Sequence, residues 1–316
     1  MESKLLAHLA SAIREATHHP FVIRNQSPVV VGSINEAYRL DGDDGSRFFL
    51  KLNDARHHTM FVAEAKGLEA IAATNTIHVP RTIAYGIAGG QSFLVLEHLD
   101  LNPHGDEQLL GEQLAALHRS TFDRAYPDSL SSEEVNSRHS RTLPQFGFTI
   151  DNFIGTTPQP NGWKGRWIDF WREQRLGFQL RLSEQNGYSG NLQTLGERLL
   201  SALPAFFSGY EPTPSLLHGD LWGGNHAFLA DGTPVIFDPA VYYGDRECDL
   251  AMTELFGGYS EVFYAAYRAA YPLDAGYLVR RELYNLYHIL NHANLFGGGY
   301  ARQAEQMMHK LLTAVI

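Results

Sequence analysis

Two aspartates and an asparagine carry the spacing in this chain that best suits chemistry. They lie in the stretch from Leu216 to Asp249, LLHGDLWGGNHAFLADGTPVIFDPAVYYGDRECD. Leu216 and Leu217 suit the end of a buried strand. His218-Gly219-Asp220 then makes a tight polar turn, and Asn225 follows five residues after the aspartate. Ala227 to Leu229 and Val235 to Phe237 read as a hairpin closed by Asp231-Gly232, whose second strand delivers Asp238 just ahead of Pro239. One loop and one strand end therefore bring Asp220, Asn225 and Asp238 together. A carboxylate to accept a proton, beside an Asn/Asp pair of hard oxygen ligands, is what Mg²⁺-dependent phosphoryl transfer needs. Two other readings stay open for the same residues. Asp-Gly and Asn are ordinary turn formers, and HGD alone is a weak motif. His218, Asp220 and His226 could also form a facial metal triad of the oxygenase kind, which would leave Asn225 and Asp238 without a task.

Such a site needs a second wall to hold an anionic tail, and the first hundred residues offer one. Leu5, Leu6, Leu9 and Ile13 fall on one face at helical spacing. After that helix, Phe21 to Arg24, Val29 to Val31, Ala37 to Leu40 and Arg47 to Leu52 read as short strands with glycine-rich turns between them. Lys51 is an isolated cation on an apolar strand. Alternation sends Phe49, Lys51 and Asn53 to one face, and Phe48, Leu50 and Leu52 to the other. The helix expected over Thr59 to Thr74 carries Glu64 among apolar residues, with Glu69 as a later competitor. A strand lysine held by a glutamate on the next helix is the kinase device for gripping phosphates; an edge-strand lysine that merely guards against aggregation is the plainer alternative. Strands follow at Thr82 to Gly86 and Ser92 to Leu96.

Beyond Leu99 the pattern turns helical, with helices expected at Glu107 to Arg119, Trp167 to Gln185, Leu192 to Phe207, Leu250 to Phe256, Ser260 to Tyr271, Gly276 to Leu295 and Arg302 to Ala314. His118 reads as a packing residue. Asp123 to Arg141 is polar and reads as an exposed loop. Trp163, Trp167 and Trp171 either line a sugar site or cap the lobe, and Arg246 with Asp249 reads as a structural pair beside the site. The 316 residues, 44% apolar, suffice for two packed lobes. A net charge of −10, with no run of basic residues, argues against nucleic acid and anionic membrane as partners. No stretch of about 18 apolar residues suggests a membrane span, the amino-terminal helix does not read as a signal peptide, and a single cysteine fits a reducing, cytoplasmic setting.

HGDLWGGN followed by IFDPAVYYGDRECDLAM resembles the fructosamine kinase family, a branch of the protein-kinase-like fold that also holds aminoglycoside and choline kinases. VGSINEAYRL, FLKLN with AEAKGLEAI, and FGFTIDNFIGTTPQPNGW are similar to further segments of that family. The likeness covers nearly the whole chain and is most specific over residues 217 to 252. It implies an α+β bilobal fold: a small antiparallel-sheet lobe over residues 1–98 binds nucleotide, and a larger, mainly helical lobe over 99–316 carries catalysis and substrate. It further implies Asp220 as catalytic base, Asn225 and Asp238 on Mg²⁺, and ATP held by Gly32, Ser33, Ile34, Asn35, Lys51, Glu64 and the main chain of Glu97, His98 and Leu99. Trp222, Asn291 and His292 become candidates for the sugar. The acceptor implied is the 3-hydroxyl of a ketosamine, a small glycated amine, in a deglycation step. An aminoglycoside- or choline-type phosphotransferase and a non-catalytic nucleotide-binding module are the alternatives.

Overall fold

The computed structural model describes residues 2–30, 34–121 and 145–315. Gly32, Ser33 and the polar segment 123–141 lie outside the described residues. Helix α1 (Ser3–Thr17) buries Leu5, Leu9 and Ile13 and ends at His18, which is left-handed and returns its N–H to Arg14. A five-stranded antiparallel sheet follows, ordered β1-β2-β3-β5-β4: β1 Ile23–Val29, β2 Glu36–Gly42, β3 Arg47–Asp54, β4 Thr82–Ala88 and β5 Gln91–Glu97. Period-two alternation sorts β3 and β5 between two cores. Phe48, Leu50, Leu52, Phe93 and Val95 meet α1, whereas Phe49, Leu94 and Leu96 face α2 (His58–Ala73) through Phe61, Ala65 and Leu68. Lys51 belongs to the α2 face, as the alternation predicts. One expectation is corrected here. The two strands read at residues 21–24 and 29–31 are a single strand that runs through Pro28. A proline survives there because β1 is the edge of the sheet.

The helical lobe begins with α3 (Glu107–His118), whose first turn is capped by Asp106 accepting from the Leu109 amide at 2.8 Å. Two short strands, β6 (Asn152–Ile154) and β7 (Thr157–Gln159), form a hairpin absent from the sequence reading. Helix α4 runs through Trp167–Phe170, a π-helical turn Trp171–Leu176, and Gly177–Gln185; α5 is Asn191–Phe206. Strands β8 (Ser215–Leu217) and β11 (Tyr242–Gly244) pair, as do β9 (His226–Phe228) and β10 (Pro234–Ile236). Helices α6 (Glu247–Leu255), α7 (Glu261–Ala270), α8 (Tyr277–Phe296) and α9 (Tyr300–Val315) complete the lobe. Among the described residues no helix is long and apolar enough to cross a membrane.

Two features of this lobe place the site. The β8–β11 and β9–β10 pairs hold both ends of the 218–225 loop and of the 237–241 segment, so the two run side by side. Helices α3 and α7 approach closely at Gly111, where a Cβ would stand 2.5 Å from the Phe263 carbonyl oxygen. That approach sets the Tyr267 hydroxyl, on α7, against Nδ1 of His118 at the end of α3, whose Nε2 reaches the buried carboxylate of Asp249. Gly111→Ala should force the helices apart and lower stability by about 1–3 kcal/mol, measured by urea denaturation, with a parallel loss of any property that depends on Asp249.

Candidate active site

A cleft of about 670 Å³ separates the sheet from the helical lobe. The two backbone segments that form its floor almost touch. Gly219 sits at φ +83° with the position of an added Cβ only 2.1 Å from the Ala240 carbonyl oxygen, so no larger residue fits between His218 and Asp220. The Ala240 amide donates to the His218 carbonyl at 2.8 Å, and the Phe237 amide to the Asn225 carbonyl at 3.1 Å. The His218 ring ties the same strands: Nε2 donates to the Phe237 carbonyl at 2.9 Å, and Nδ1 accepts from the Asp220 amide at 3.2 Å. Burial holds this imidazole below its ordinary pKa, in keeping with a neutral ring that donates at one nitrogen and accepts at the other.

Asp249 underlies the loop. Its carboxylate accepts from the backbone amides of His218 at 2.7 Å and Gly219 at 2.8 Å, and from His118 Nε2 at 3.1 Å. Burial alone would raise its pKa, but His118 and the amide partners keep it below the usual value. The pairing of Asp249 with Arg246 read from sequence is therefore corrected. Arg246 donates instead to the Tyr267 hydroxyl and to the carbonyls of Tyr271 and Pro272. His118, read as packing, is the histidine that bridges Tyr267 and Asp249. Only the neighbouring HGD motif hinted that Asp249 belonged to this loop.

Asp220, Asn225 and Asp238 all line the cleft. The Asn225 side-chain nitrogen donates to the Asp220 carbonyl at 2.9 Å, which leaves Oδ1, a hard oxygen, for a cation. Asp238 stands at φ +57°, a left-handed conformation that aspartate tolerates better than most residues. One amide oxygen and one carboxylate suit Mg²⁺, which takes few protein ligands and completes its octahedron with phosphate and water. Among the described residues no three His, Cys, Asp or Glu side chains converge on a metal position. The facial triad fails on geometry, since both His218 nitrogens are engaged and His226 stacks on Tyr259 at 4.3 Å. Burial, then the charges of Asp238 and Asp249, push the Asp220 carboxyl up to about 7 against an opposing hydrogen bond from Asn225.

From the opposite wall, buried Lys51 reaches Glu64 at 2.7 Å and Asp238 at 2.5 Å. Burial would lower the ammonium pKa, but Asp238 and Glu64 outweigh it and hold it well above the ordinary lysine range. Glu69 is turned outward to Lys66. Ile34 and Asn35 line the cleft, and Asn53, on the Lys51 face of β3, donates to both the Ile34 carbonyl and Asn35 Oδ1. Glu97, His98 and Leu99 line its far end, where the Glu97 carboxylate is spent on the Arg81 amide. Trp222 is at the cleft, 41% exposed, with its indole folded over Gly224.

Asn291 and His292 are not brought to the cleft. The Asn291 amide is buried between Gln179 and the Ile154 carbonyl, and His292 packs among Phe256, Phe296 and Tyr300. Trp167 and Trp171 pack in the core against Tyr284, and Trp163 stacks on Tyr243. Sequence reasoning did not single out Val30, Met60, Asn152, Phe153 or Gly155 for the site, and all of them line the cleft.

A sheet lobe over a helical lobe, with a lysine–glutamate pair facing an Asp/Asn/Asp cluster across a cleft, defines the protein-kinase-like phosphotransferase fold. An ADP-bound aminoglycoside phosphotransferase shares that fold at a TM-score of 0.62 and 12% identity, with 99% of each chain covered. The family model for fructosamine kinase matches residues 5–314, and the chain belongs to that family of kinases. A probable ketoamine kinase of Synechocystis is 46% identical over 307 residues, 96% of each chain. The chloroplastic protein-ribulosamine 3-kinase of Arabidopsis thaliana is 40% identical over 283 residues, 89% of this chain and 80% of that one. A crystal structure of a candidate fructosamine-3-kinase from Haemophilus somnus superposes with a TM-score of 0.81 at 29% identity, covering 96% of each chain.

Two measurements probe this geometry. Lys51→Met should weaken nucleotide binding about 10- to 100-fold, the scale of a hydrogen bond to a charged group, with Glu64→Gln giving a smaller loss. The double variant should cost little more than Lys51→Met alone in calorimetric titration, and additive losses would mean that the two side chains act separately. In the nucleotide-free protein the Asp220 carboxyl should titrate near 7 by carbon NMR. Asp238→Asn removes a like charge and should move that titration to lower pH.

Proposed function

We propose that this kinase uses ATP and Mg²⁺ to phosphorylate the 3-hydroxyl of a ketosamine, as the first step of deglycation. The reading is carried by one observation: Asp220, a carboxylate set deep in the cleft wall, stands beside Asn225 and Asp238 and across from the Lys51–Glu64 pair. Bound Mg²⁺-ATP supplies a phosphoryl group for transfer, with the cation spreading the charge on its phosphates. The residues of the chain hold and orient. Asp220 accepts the proton of the acceptor hydroxyl, a carboxyl of raised pKa being the stronger base once ionised. Asn225 and Asp238 take the cation. Lys51 grips the phosphate tail while Glu64 fixes its position, assisted by the amides of Ser33, Ile34 and Asn35 beside Gly32. The main chain at Glu97, His98 and Leu99 meets the base, and Trp222 stacks on the sugar. Such transfers depend mainly on positioning and charge stabilisation.

The choice of acceptor rests on the family and on the names of its relatives, a ketoamine kinase and a ribulosamine 3-kinase among them. A phosphate on C3 sits next to the ketone at C2. Loss of a proton from C1 therefore gives an enaminol that expels phosphate from C3, and hydrolysis of the resulting C1 imine by water releases the free amine. The lobe boundary is placed between His98 and Leu99. A cytoplasmic site of action fits the single, buried Cys248, and small glycated amines, not nucleic acid or membrane, are the partners.

The test is ATP consumption across ketosamines of differing sugar length, with an aminoglycoside and choline in the same panel and the product's phosphate position read by phosphorus NMR. Turnover of ketosamines with phosphate on O3 is expected; turnover confined to the aminoglycoside or choline would replace this reading with the related one. Asp220→Ala should lower kcat by roughly 10²-fold or more while ATP affinity stays within about twofold, a spread smaller than one hydrogen bond.

A further inference from the structure

We propose that Gln159, with its neighbour Asn152, is a positioning residue for the cation-binding aspartate, acting through the backbone that follows Asp238. The proposal rests on the assignment of Asp238 to the cation. The segment NFIGTTPQPN is similar to a segment of the family, and its aromatic surroundings are open to lining a sugar site or capping the lobe. Its polar residues do something else. Asn152 and Gln159 face each other across the β6–β7 hairpin, both buried, Gln159 completely. Asn152 Nδ2 donates to the Val241 carbonyl at 2.7 Å. Gln159 Nε2 donates to Asn152 Oδ1 at 2.8 Å and to the Ala240 carbonyl at 3.2 Å. The two amides thus serve the carbonyls two and three residues after Asp238.

This is the side of the 237–241 segment that the catalytic loop does not reach. From the loop side come His218 and Asn225, which hold Phe237 and the Ala240 amide. From the hairpin side come only Asn152 and Gln159 among the described residues. Between the two grips Asp238 is held at φ +57°, a conformation that persists only where its surroundings over-determine it. If the hairpin grip is released, two buried carbonyls lose their partners and Asp238 can relax away from its place opposite Asn225.

The hairpin is itself anchored to the core. Tyr287 donates its hydroxyl to Gln159 Oε1 at 2.7 Å, which orients the amide so that its nitrogen faces Ala240. Arg175, carried inward by the π-helical turn of α4, donates to the Pro160 carbonyl and to Asn161 Oδ1. The guanidinium is fully buried and lies 4.0 Å from the Tyr242 ring centroid. Asn291, on α8, donates to the Ile154 carbonyl at 3.3 Å. A chain of hydrogen bonds therefore runs from α4 and α8 through the hairpin to the strand end that bears Asp238. Gln159 does not line the cleft, whereas Asn152 does, so the effect of Gln159 on a bound cation passes through that backbone or through its hydrogen bond to Asn152.

The experiment measures Mn²⁺ binding to the full chain saturated with ADP, by electron paramagnetic resonance, beside ADP binding without metal. Gln159→Met keeps the length of the side chain and removes the two hydrogen bonds that Nε2 donates, together with the one that Oε1 accepts from Tyr287. It should raise the Mn²⁺ dissociation constant about 10-fold or more, the usual effect of losing a partner that orients a metal ligand, with metal-free ADP affinity unchanged. In an Asp238→Asn background the same substitution should add nothing. Tyr287→Phe removes only the hydroxyl that orients the Gln159 amide; a smaller rise is expected, and this variant decides the matter if Gln159→Met does not fold. Wild-type Mn²⁺ affinity in the folded variants, or an undiminished effect in the Asp238→Asn background, overturns the positioning role alone. Wild-type affinity in Asp238→Asn itself overturns the cation assignment, and the inference with it.

Discussion

The site depends on the crossing of two backbones at Gly219 and Ala240. With the Ala240 oxygen 2.1 Å from where a Cβ would stand, the HGD loop and the DPA segment behave as one object, and the three polar side chains they carry cannot drift apart. The tightness has a consequence for the rest of the lobe. Backbone groups at such a crossing cannot reach water, so each needs a partner inside the protein. His218 and Asp249 provide partners on the loop side, and Asn152 and Gln159 provide them behind the DPA segment.

A second constraint is electrostatic. Three carboxylates, Asp220, Asp238 and Asp249, occupy a small region with little solvent, and each raises the cost of ionising its neighbours. The chain offsets this differently at each position. Asp249 is stabilised by histidine and amides and is held below the usual value, Asp238 bonds Lys51, and Asp220 has little more than Asn225, so the Asp220 carboxyl is driven up to about 7. The carboxylate left least compensated is the one proposed to face the acceptor. Lys51 has a further effect: by bonding to Glu64 on α2 and Asp238 below, it links the sheet lobe to the helical lobe across the cleft. Phosphates entering the cleft would compete for a cation that already has two anionic partners.

Resemblance of fold and resemblance of family speak to different levels here. The ADP-bound aminoglycoside phosphotransferase shares the bilobal frame at 12% identity, which reflects a common arrangement of lobes. The match over residues 5–314 places the chain among the fructosamine kinases, and those residues include the hairpin and the π-helical turn as well as the catalytic strings. A common frame does not fix the acceptor, which depends on the side chains that line the site.

Much of this was legible in the sequence because it follows from local rules. Alternation on β3 put Lys51 on the correct face, the DG turn announced the β9–β10 hairpin, and helical periodicity located α1, α2 and α3 within a few residues of their observed ends. The HGD-to-Asp238 spacing was enough to gather Asp220, Asn225 and Asp238 at one cleft. What the sequence left undecided needs distance between residues far apart in the chain. Asp249 looked like a partner for nearby Arg246, yet it serves a loop about thirty residues earlier, because α6 packs beneath that loop; Asn291 was a candidate for the sugar, yet α8 turns it into the hairpin. The strands read at 21–24 and 29–31 are one strand, and the place of Pro28 on the sheet edge explains why it continues. The roles of Asn152 and Gln159 were hidden for the same reason. A side-chain amide is identified by what it faces, and what these two face is brought near only when the helical lobe closes around the crossing.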